Sequence, residues 1–206
     1  MSTPIDTDQP LREAEIGPDP IGTFQRWLAL AWQAGERQAN AMTLATATPD
    51  GVPSARMVLL HRADERGFAF YTNYESAKGM ELERNPRAAL VFYWPSLYRQ
   101  VRVSGAVTRT THQESEEYWA QRPAGNRVAG AASAQSRPLD SREALEREVE
   151  RLERLHPQGP PLPDFWGGFR VAPETIEFWQ GRSHRLHDRL HLRQVEGGWE
   201  MRRLAP

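Results

Sequence analysis

The sequence predicts a mainly β, α+β domain: an antiparallel sheet with peripheral helices, of the kind that can close into a barrel. Three observations carry this. About seven or eight strand-like runs are mostly separated by hairpin turn signals rather than by helices. Three or four helical stretches interrupt them without the regular strand–helix alternation of a doubly wound sheet. Nothing in the chain repeats with a period of roughly 20–50 residues, which sets solenoids and propellers aside. At 206 residues there is enough chain for one proper core, and 20–206 read as a single domain. Residues 1–19, rich in Pro, Asp and Thr, read as a mobile arm.

The elements follow in order. Ile21, Phe24, Leu28 and Trp32 fall at helical spacing, which predicts a helix over about 20–36. Asp50-Gly51 is a strong turn signal between strand-like runs at 41–48 and 53–61. A second turn, Asp64 to Gly67, leads into the aromatic strand 68–73. Ser76 can cap a short helix that Asn85-Pro86 ends. Two strands, AALVFYWP and YRQVRVSGAVTRT, meet at Pro95-Ser96. HQESEEYWAQRP reads as a helix stopped near Pro123, and NRVAGAASAQS as a small-residue helical segment. DSREALEREVERLERL is a charged amphipathic helix with a Leu145, Val149, Leu152 and Leu155 seam. A Pro-rich connector then leads to strands 168–180, 184–194 and 198–205, with Glu196-Gly197-Gly198 at the last turn.

The composition excludes several functions. There is no cysteine, so disulfides, thiolate nucleophiles and cysteine-bound zinc are absent, as suits a reducing cytoplasm. The formal net charge is −1, so an anion site must be local. No apolar run approaches the roughly 18 residues of a membrane span, and the N-terminus lacks the order of a signal peptide. These features predict a soluble cytoplasmic protein. Walker-type loops, G-x-G-x-x-G and G-x-S-x-G are all missing.

The local signal is in GRSHRLHDRLHLR, residues 181–193. As a strand it would place Arg185, His187, Arg189, His191 and Arg193 on one face, where like charges repel unless something negative lies over them. His184 and His187 would then face opposite ways, which argues against a metal site. A nucleic-acid surface would need a more extended basic area with exposed aromatics. Arg56, Lys78 near a helix start, Gln135-Ser136, and Tyr118 with Arg122 on one helix face add further anion-binding groups. Each also has an ordinary reading as a solvated surface group. The residues alone reach a β-rich domain with an anion pocket.

Several stretches together resemble the pyridoxine (pyridoxamine) 5′-phosphate oxidase family. They are RMVLL, FYTNYESAKGMELERNPRAALVFYW, RQVRVSG, YWAQRP, PLPDFWGGFRVAPETIEFWQG, RLHDR and the terminal RLAP. The likeness runs from about residue 20 to the C-terminus. It implies a split β-barrel homodimer with FMN in each of two interface clefts, and oxidation of a phosphorylated pyridine by dioxygen. It also implies FMN contacts at Arg56, Met57, Val58, Leu59, Leu60, Tyr71, Thr72, Lys78, Gln100, Gln135, Ser136, Trp179 and Arg189. Substrate would be met by His61, Tyr118, Arg122, Asn126, Arg185 and His187, the last two also serving as catalytic residues. Neither nucleic acid nor membrane is an implied partner.

Three positions depart from the family pattern. His61 stands where RMVLL is usually followed by Lys, Asn126 where a Ser is usual, and Ala77 where a basic residue commonly precedes Lys78. The first two fall in the substrate-phosphate clamp. They leave open a ring substrate of the phenazine-precursor type, and a non-catalytic flavin- or pyridoxal-phosphate-binding protein is a further alternative.

Overall fold

The structure, a computed structural model, describes residues 9–206. Among the described residues, nine strands form one antiparallel sheet, surrounded by six α-helices. The strands are β1 (Ala41–Ala47), β2 (Pro53–Leu59), β3 (Arg62–Asp64), β4 (Gly67–Asn73), β5 (Arg87–Trp94), β6 (Arg99–Arg109), β7 (Trp166–Gln180), β8 (Asp188–Val195) and β9 (Gly198–Leu204). The helices are α1 (Glu13–Ile16), α2 (Pro20–Gln33), α3 (Ala77–Arg84), α4 (His112–Gln121), α5 (Ala124–Ala132) and α6 (Arg142–Leu155).

The long strand β7 organises the sheet. One edge pairs with β6 along its length. The other edge is shared: 166–171 pair with β4 and 175–180 with β8. The change of partner falls at Pro173, which has no N–H to donate, beside a register shift at Ser104/Gly105. Gly105 is required there, because a Cβ would run into the carbonyl oxygen of Ala172. Beyond this point the sheet splits into two arms on that edge, β4–β3 and β8–β9, as the split-barrel expectation has it.

Alternation decides which face is buried. In β5, Ala88, Leu90, Phe92 and Trp94 point into the core while Arg87 and Tyr93 are exposed. Phe24 from α2 fills the curl of the sheet, with its ring 4.9 Å from Phe68 and 4.7 Å from Phe92. The first pair meets edge-on and the second at a tilt, and both bury large apolar area. Asp19 caps α2 by accepting from the Gly22 N–H at 2.9 Å, and Pro20 occupies the first turn.

Three sequence expectations need correction. Asp64 to Gly67 is a turn, but 62–64 already form the short strand β3 paired with β4. Strand 184–194 begins only at Asp188, because His184 and Arg185 adopt left-handed backbone with φ of 55° and 61°. Alternation therefore does not run from Arg185 to Arg193. Of the arm, residues 1–8 lie outside the described residues. Residues 9–19 carry α1 and pack onto the domain, with Leu11 at 2% and Ile16 at 1% exposure. Two isolated apolar residues in a polar stretch gave no periodic signal for this.

Candidate active site

A cleft of about 570 Å³ lies between β2, β4 and helices α4 to α6, lined among others by Met57, Val58, Leu59, Tyr71, Thr72 and Lys78. Tyr118, Arg122, Gln135 and Trp166 complete its walls. Ser76 ends the β4–α3 loop and caps α3 through its Oγ, accepting from the Gly79 N–H at 3.4 Å. That cap aims the first turn of α3, and Lys78 with it, at the cleft.

Lys78 is the chain's single lysine. It is 8% exposed. Its Nζ donates to Gln135 Oε1 at 2.7 Å, Ser76 Oγ at 3.2 Å and Thr72 Oγ1 at 3.3 Å. All three are neutral acceptors. Burial first, and the Arg56 charge second, push its pKa down to about 8. The nearby carboxylate, Glu81, is engaged elsewhere. It pairs with Arg56 at 3.1 Å and accepts from Ser54 at 2.7 and 2.8 Å. Burial works to raise the Glu81 pKa, and hydrogen bonds from Thr46, Ser54 and Arg56 outweigh it. Among the described residues, Lys78 is thus a desolvated cation without a carboxylate of its own.

The opposite wall is aromatic. Tyr71 and Tyr118 stack at 4.2 Å, and both lie nearly parallel to Trp166, at 5.6 and 5.9 Å. The Arg122 guanidinium sits 4.8 Å from the Trp166 ring and 5.2 Å from Trp119. It donates to the backbone oxygen of Asn126 at 3.0 Å, and burial lowers its pKa. His61 joins the stack at 4.4 Å from Tyr118 and 5.2 Å from Tyr71. Partial burial, then the charges of Arg62 and Arg170, push the His61 pKa below the ordinary histidine value, although the residue as a whole is exposed. His61, Tyr71 and Tyr118 also line an adjoining cleft of about 280 Å³ with Glu114, Glu117 and Arg170.

A second group lies elsewhere on the sheet. Cross-strand pairing sets Tyr93, Gln100, Trp179, Arg189 and Leu204 in one row across β5 to β9, all on the outer face. His187 packs on Trp179 at 4.7 Å. Arg189 makes a two-pronged ion pair with Glu177, both contacts at 3.0 Å, which with its hydrogen bonds raises the arginine pKa further. Glu177 is only 5% exposed and also faces Arg102 at 3.6 Å.

The sequence-predicted residues therefore divide into two sets. The cleft gathers Met57, Val58, Leu59, Tyr71, Thr72, Lys78, Tyr118, Arg122 and Gln135. Arg56 stands behind Lys78 in the Glu81 network, and Leu60 is buried in the core at 4% exposure, so it can offer only backbone to a ligand. Ser136 follows Gln135 with a left-handed φ of 71°. Gln100, Trp179, Arg185, His187 and Arg189 form the other set. No hydrogen bond, ion pair or ring contact among the described residues joins the two. Tyr71 pairs with Gly168 near the start of β7 and Trp179 lies near its end, about 35 Å of strand contour away. Sequence reasoning missed Glu81, Glu177 and Trp166. The first two are single acidic residues whose cationic partners lie on other elements, and Trp166 sits in a connector motif, DFWGG, that carries no periodic signal.

Comparison with known proteins bears on this arrangement. The family described as "Pyridoxamine 5'-phosphate oxidase" matches residues 29–156. The "Pyridoxine 5'-phosphate oxidase C-terminal dimerisation region" matches 166–206. A pyridoxine/pyridoxamine 5′-phosphate oxidase of Rubrobacter xylanophilus is 56% identical over 197 residues, covering 95% of this chain and 91% of that one. One from Gloeothece citriformis is 52% identical over 198 residues, covering 95% and 92%. Among solved structures, PhzG from Burkholderia lata in complex with tetrahydrophenazine-1-carboxylic acid superposes with a TM-score of 0.91 at 33% identity, covering 99% of this chain and 100% of that one. A pyridoxamine 5′-phosphate oxidase-related, FMN-binding protein from Nostoc punctiforme shares the fold, with a TM-score of 0.70 at 19% identity over 89% of this chain and 97% of that one.

Proposed function

The chain belongs to the pyridoxamine 5′-phosphate oxidase family, and from that premise we propose that it is an FMN-dependent oxidase forming pyridoxal 5′-phosphate from pyridoxine and pyridoxamine 5′-phosphates. The observation that carries this reading is Lys78, a buried cation facing a cleft whose far wall holds Tyr118 and Arg122. Two anion-binding ends across one aromatic-walled cleft suit two phosphate-bearing molecules held face to face.

The residues present fit FMN. Among the described residues Lys78 has no carboxylate of its own, and a phosphate would supply the missing anion. Gln135 and Thr72 lie within hydrogen-bond reach of its Nζ and can share that phosphate. When bound, FMN would supply the acceptor for a hydride equivalent from the substrate carbon bearing the alcohol or amine, with dioxygen taking up the electrons as hydrogen peroxide.

The protein's share is binding and orientation. Tyr118 and Arg122 hold the substrate phosphate, with the Arg122 guanidinium kept in place by two tryptophan faces and the Asn126 carbonyl. Arg185 clamps the substrate so that its reacting carbon is placed, and His187 orients the ring and handles a proton. Gln100 and Trp179 line the flavin, and Arg189 brings positive charge near it, tempered by Glu177.

These last residues reach the cleft from a second copy of the chain. The row carrying them shares its sheet face with the exposed Met57, Leu59 and Tyr93. A homodimer that covers this face brings one protomer's Gln100–Trp179–Arg189 row to its partner's Lys78 cleft. Residues 166–206 match a dimerisation region, in keeping with this.

A second reading has two observations in its favour. PhzG, bound to a ring carboxylic acid, shares the fold closely. In this chain the clamp holds a histidine with a lowered pKa, so a ligand bearing a single negative charge is less disfavoured there. Kinetics of Arg122→Ala separate the two. Loss of a charge-assisted phosphate contact, ~1.5–3 kcal/mol, raises KM for pyridoxine 5′-phosphate about tenfold to a hundredfold. An unchanged KM excludes Arg122 from the phosphate clamp. Arg185→Ala with unchanged kcat and KM would remove that residue from the mechanism.

A further inference from the structure

The loop 182–187 joins β7 to β8 and presents Arg185 and His187. Its backbone is unusual: His184 and Arg185 are consecutive non-glycine residues with φ of 55° and 61°. Each costs ~1 kcal/mol or more, and such conformations persist only where their surroundings over-determine them. Inside the loop, the Leu186 N–H donates to the Ser183 oxygen at 3.2 Å and the Arg182 N–H to His187 Nδ1 at 3.1 Å. A ring nitrogen that accepts carries no proton, so the neutral His187 ring bears its hydrogen on Nε2.

The loop is anchored at its foot by one carboxylate. Asp188 accepts from Arg182 Nη1 at 3.2 Å, from Arg203 Nη1 at 2.6 Å and from the Leu11 N–H at 3.0 Å. Arg203 reaches further, donating to the Leu11 oxygen at 2.8 Å and to Glu13 at 2.9 Å. Arg182 Nε is buried without a partner, and its one carboxylate contact among the described residues is Asp188. Asp188 therefore ties together β9, the segment before α1 and the arginine whose own N–H fixes His187.

We propose that Asp188 is a positioning residue that holds loop 182–187 in its left-handed form and so presents Arg185 and keeps the His187 proton on Nε2. This rests on the roles given to Arg185 and His187 above. Asp188 itself touches neither reacting atoms nor cofactor in this account. It acts through Arg182.

The test uses the full-length, FMN-loaded protein carrying Asp188→Asn, which keeps the size and removes the charge. Three readings are taken: kcat, the His187 tautomer by ¹⁵N-histidine NMR, and amide exchange at Leu186 and Arg182. The result expected is a kcat at least tenfold lower, a mixed tautomer, and exchange at least tenfold faster, with FMN affinity within twofold of the parent. An unchanged tautomer, or an unchanged kcat in an active enzyme, overturns the proposal. The NMR and exchange readings need no turnover. A parent protein inert toward the pyridine phosphates would sink the proposed function while leaving this proposal to stand or fall on the loop. Should Asp188→Asn not fold, Arg203→Gln keeps the Arg182–Asp188 pair but removes its outer anchor. Faster exchange over 182–187 in that variant supports the proposal, and parent-like exchange refutes it.

Discussion

Replacing Lys78 by methionine should move the stability of the flavin-free protein and its hold on FMN in opposite directions. Burial takes the Lys78 pKa from 10.5 to about 8. A difference of that size corresponds to a penalty on the order of 3 kcal/mol for keeping the group charged in the fold. The sign follows from proton counting. Between about pH 8 and 10.5 the unfolded chain binds the proton more often than the folded one, so this group's contribution makes stability rise with pH across that window. Below pH 8 the full penalty applies. Lys78→Met removes it but takes the lysine donor from Gln135, Ser76 and Thr72, leaving Gln135 Oε1 only the Thr72 hydroxyl at 3.2 Å, at a cost of ~1–2 kcal/mol. The net is ~1–2 kcal/mol of added stability at pH 7, or roughly 2–8 °C in Tm for a domain of this size. FMN affinity should fall about tenfold to a hundredfold through the lost charge-assisted contact, while riboflavin, which has no phosphate, binds as before. Parent FMN affinity should also weaken above pH 8, because the phosphate requires a proton that Lys78 has given up, and the variant should lose that dependence. Calorimetric melting and flavin fluorescence titration read both effects. A variant that melts lower without flavin, yet binds FMN as tightly as the parent, would refute the reasoning.

His61→Lys restores a permanent cation to the aromatic stack beside Tyr118. KM for pyridoxine 5′-phosphate should drop about tenfold at pH 8, where the lowered pKa leaves His61 uncharged, and by less at a second pH acidic enough for the ring to take up a proton. An equal ratio at the two pH values would show that the ring's protonation plays no part. Phe24→Ala empties the centre of the curled sheet, where Phe24 is fully buried against Phe68 and Phe92. The loss should be ~3–5 kcal/mol by urea denaturation, and less than ~1 kcal/mol would mean that the core does not converge on this ring.

The sequence makes the hairpins legible because turn chemistry is local. Asp50-Gly51 sits between β1 and β2, and Gly51 has the positive φ of 88° that such a turn demands. The start of β8 was not legible for the converse reason. Arg185 takes a left-handed conformation without a glycine or asparagine to announce it, so alternation in HRLHDR resembles a strand that does not exist there. Charge partners were also hidden. The row of cations on β8 is met by acidic residues from neighbouring strands as much as by any ligand: Arg189 by Glu177, and Arg193 by Glu200 directly opposite it. Pairings of that kind depend on register, which a single strand's sequence does not carry. The family resemblance named residues on both sides of the proposed site, and the single chain holds them as two separate sets, which the proposed dimer would bring together.

Aerobic turnover of the FMN-loaded protein decides between the vitamin substrates and any other. Pyridoxine 5′-phosphate and pyridoxamine 5′-phosphate are each supplied over a concentration series, with a phenazine-type ring carboxylic acid as comparison. The expected result is saturable formation of pyridoxal 5′-phosphate with one hydrogen peroxide per product, and ammonia from the amine alone. Tightly bound flavin that oxidises the ring acid but neither pyridine phosphate would contradict it.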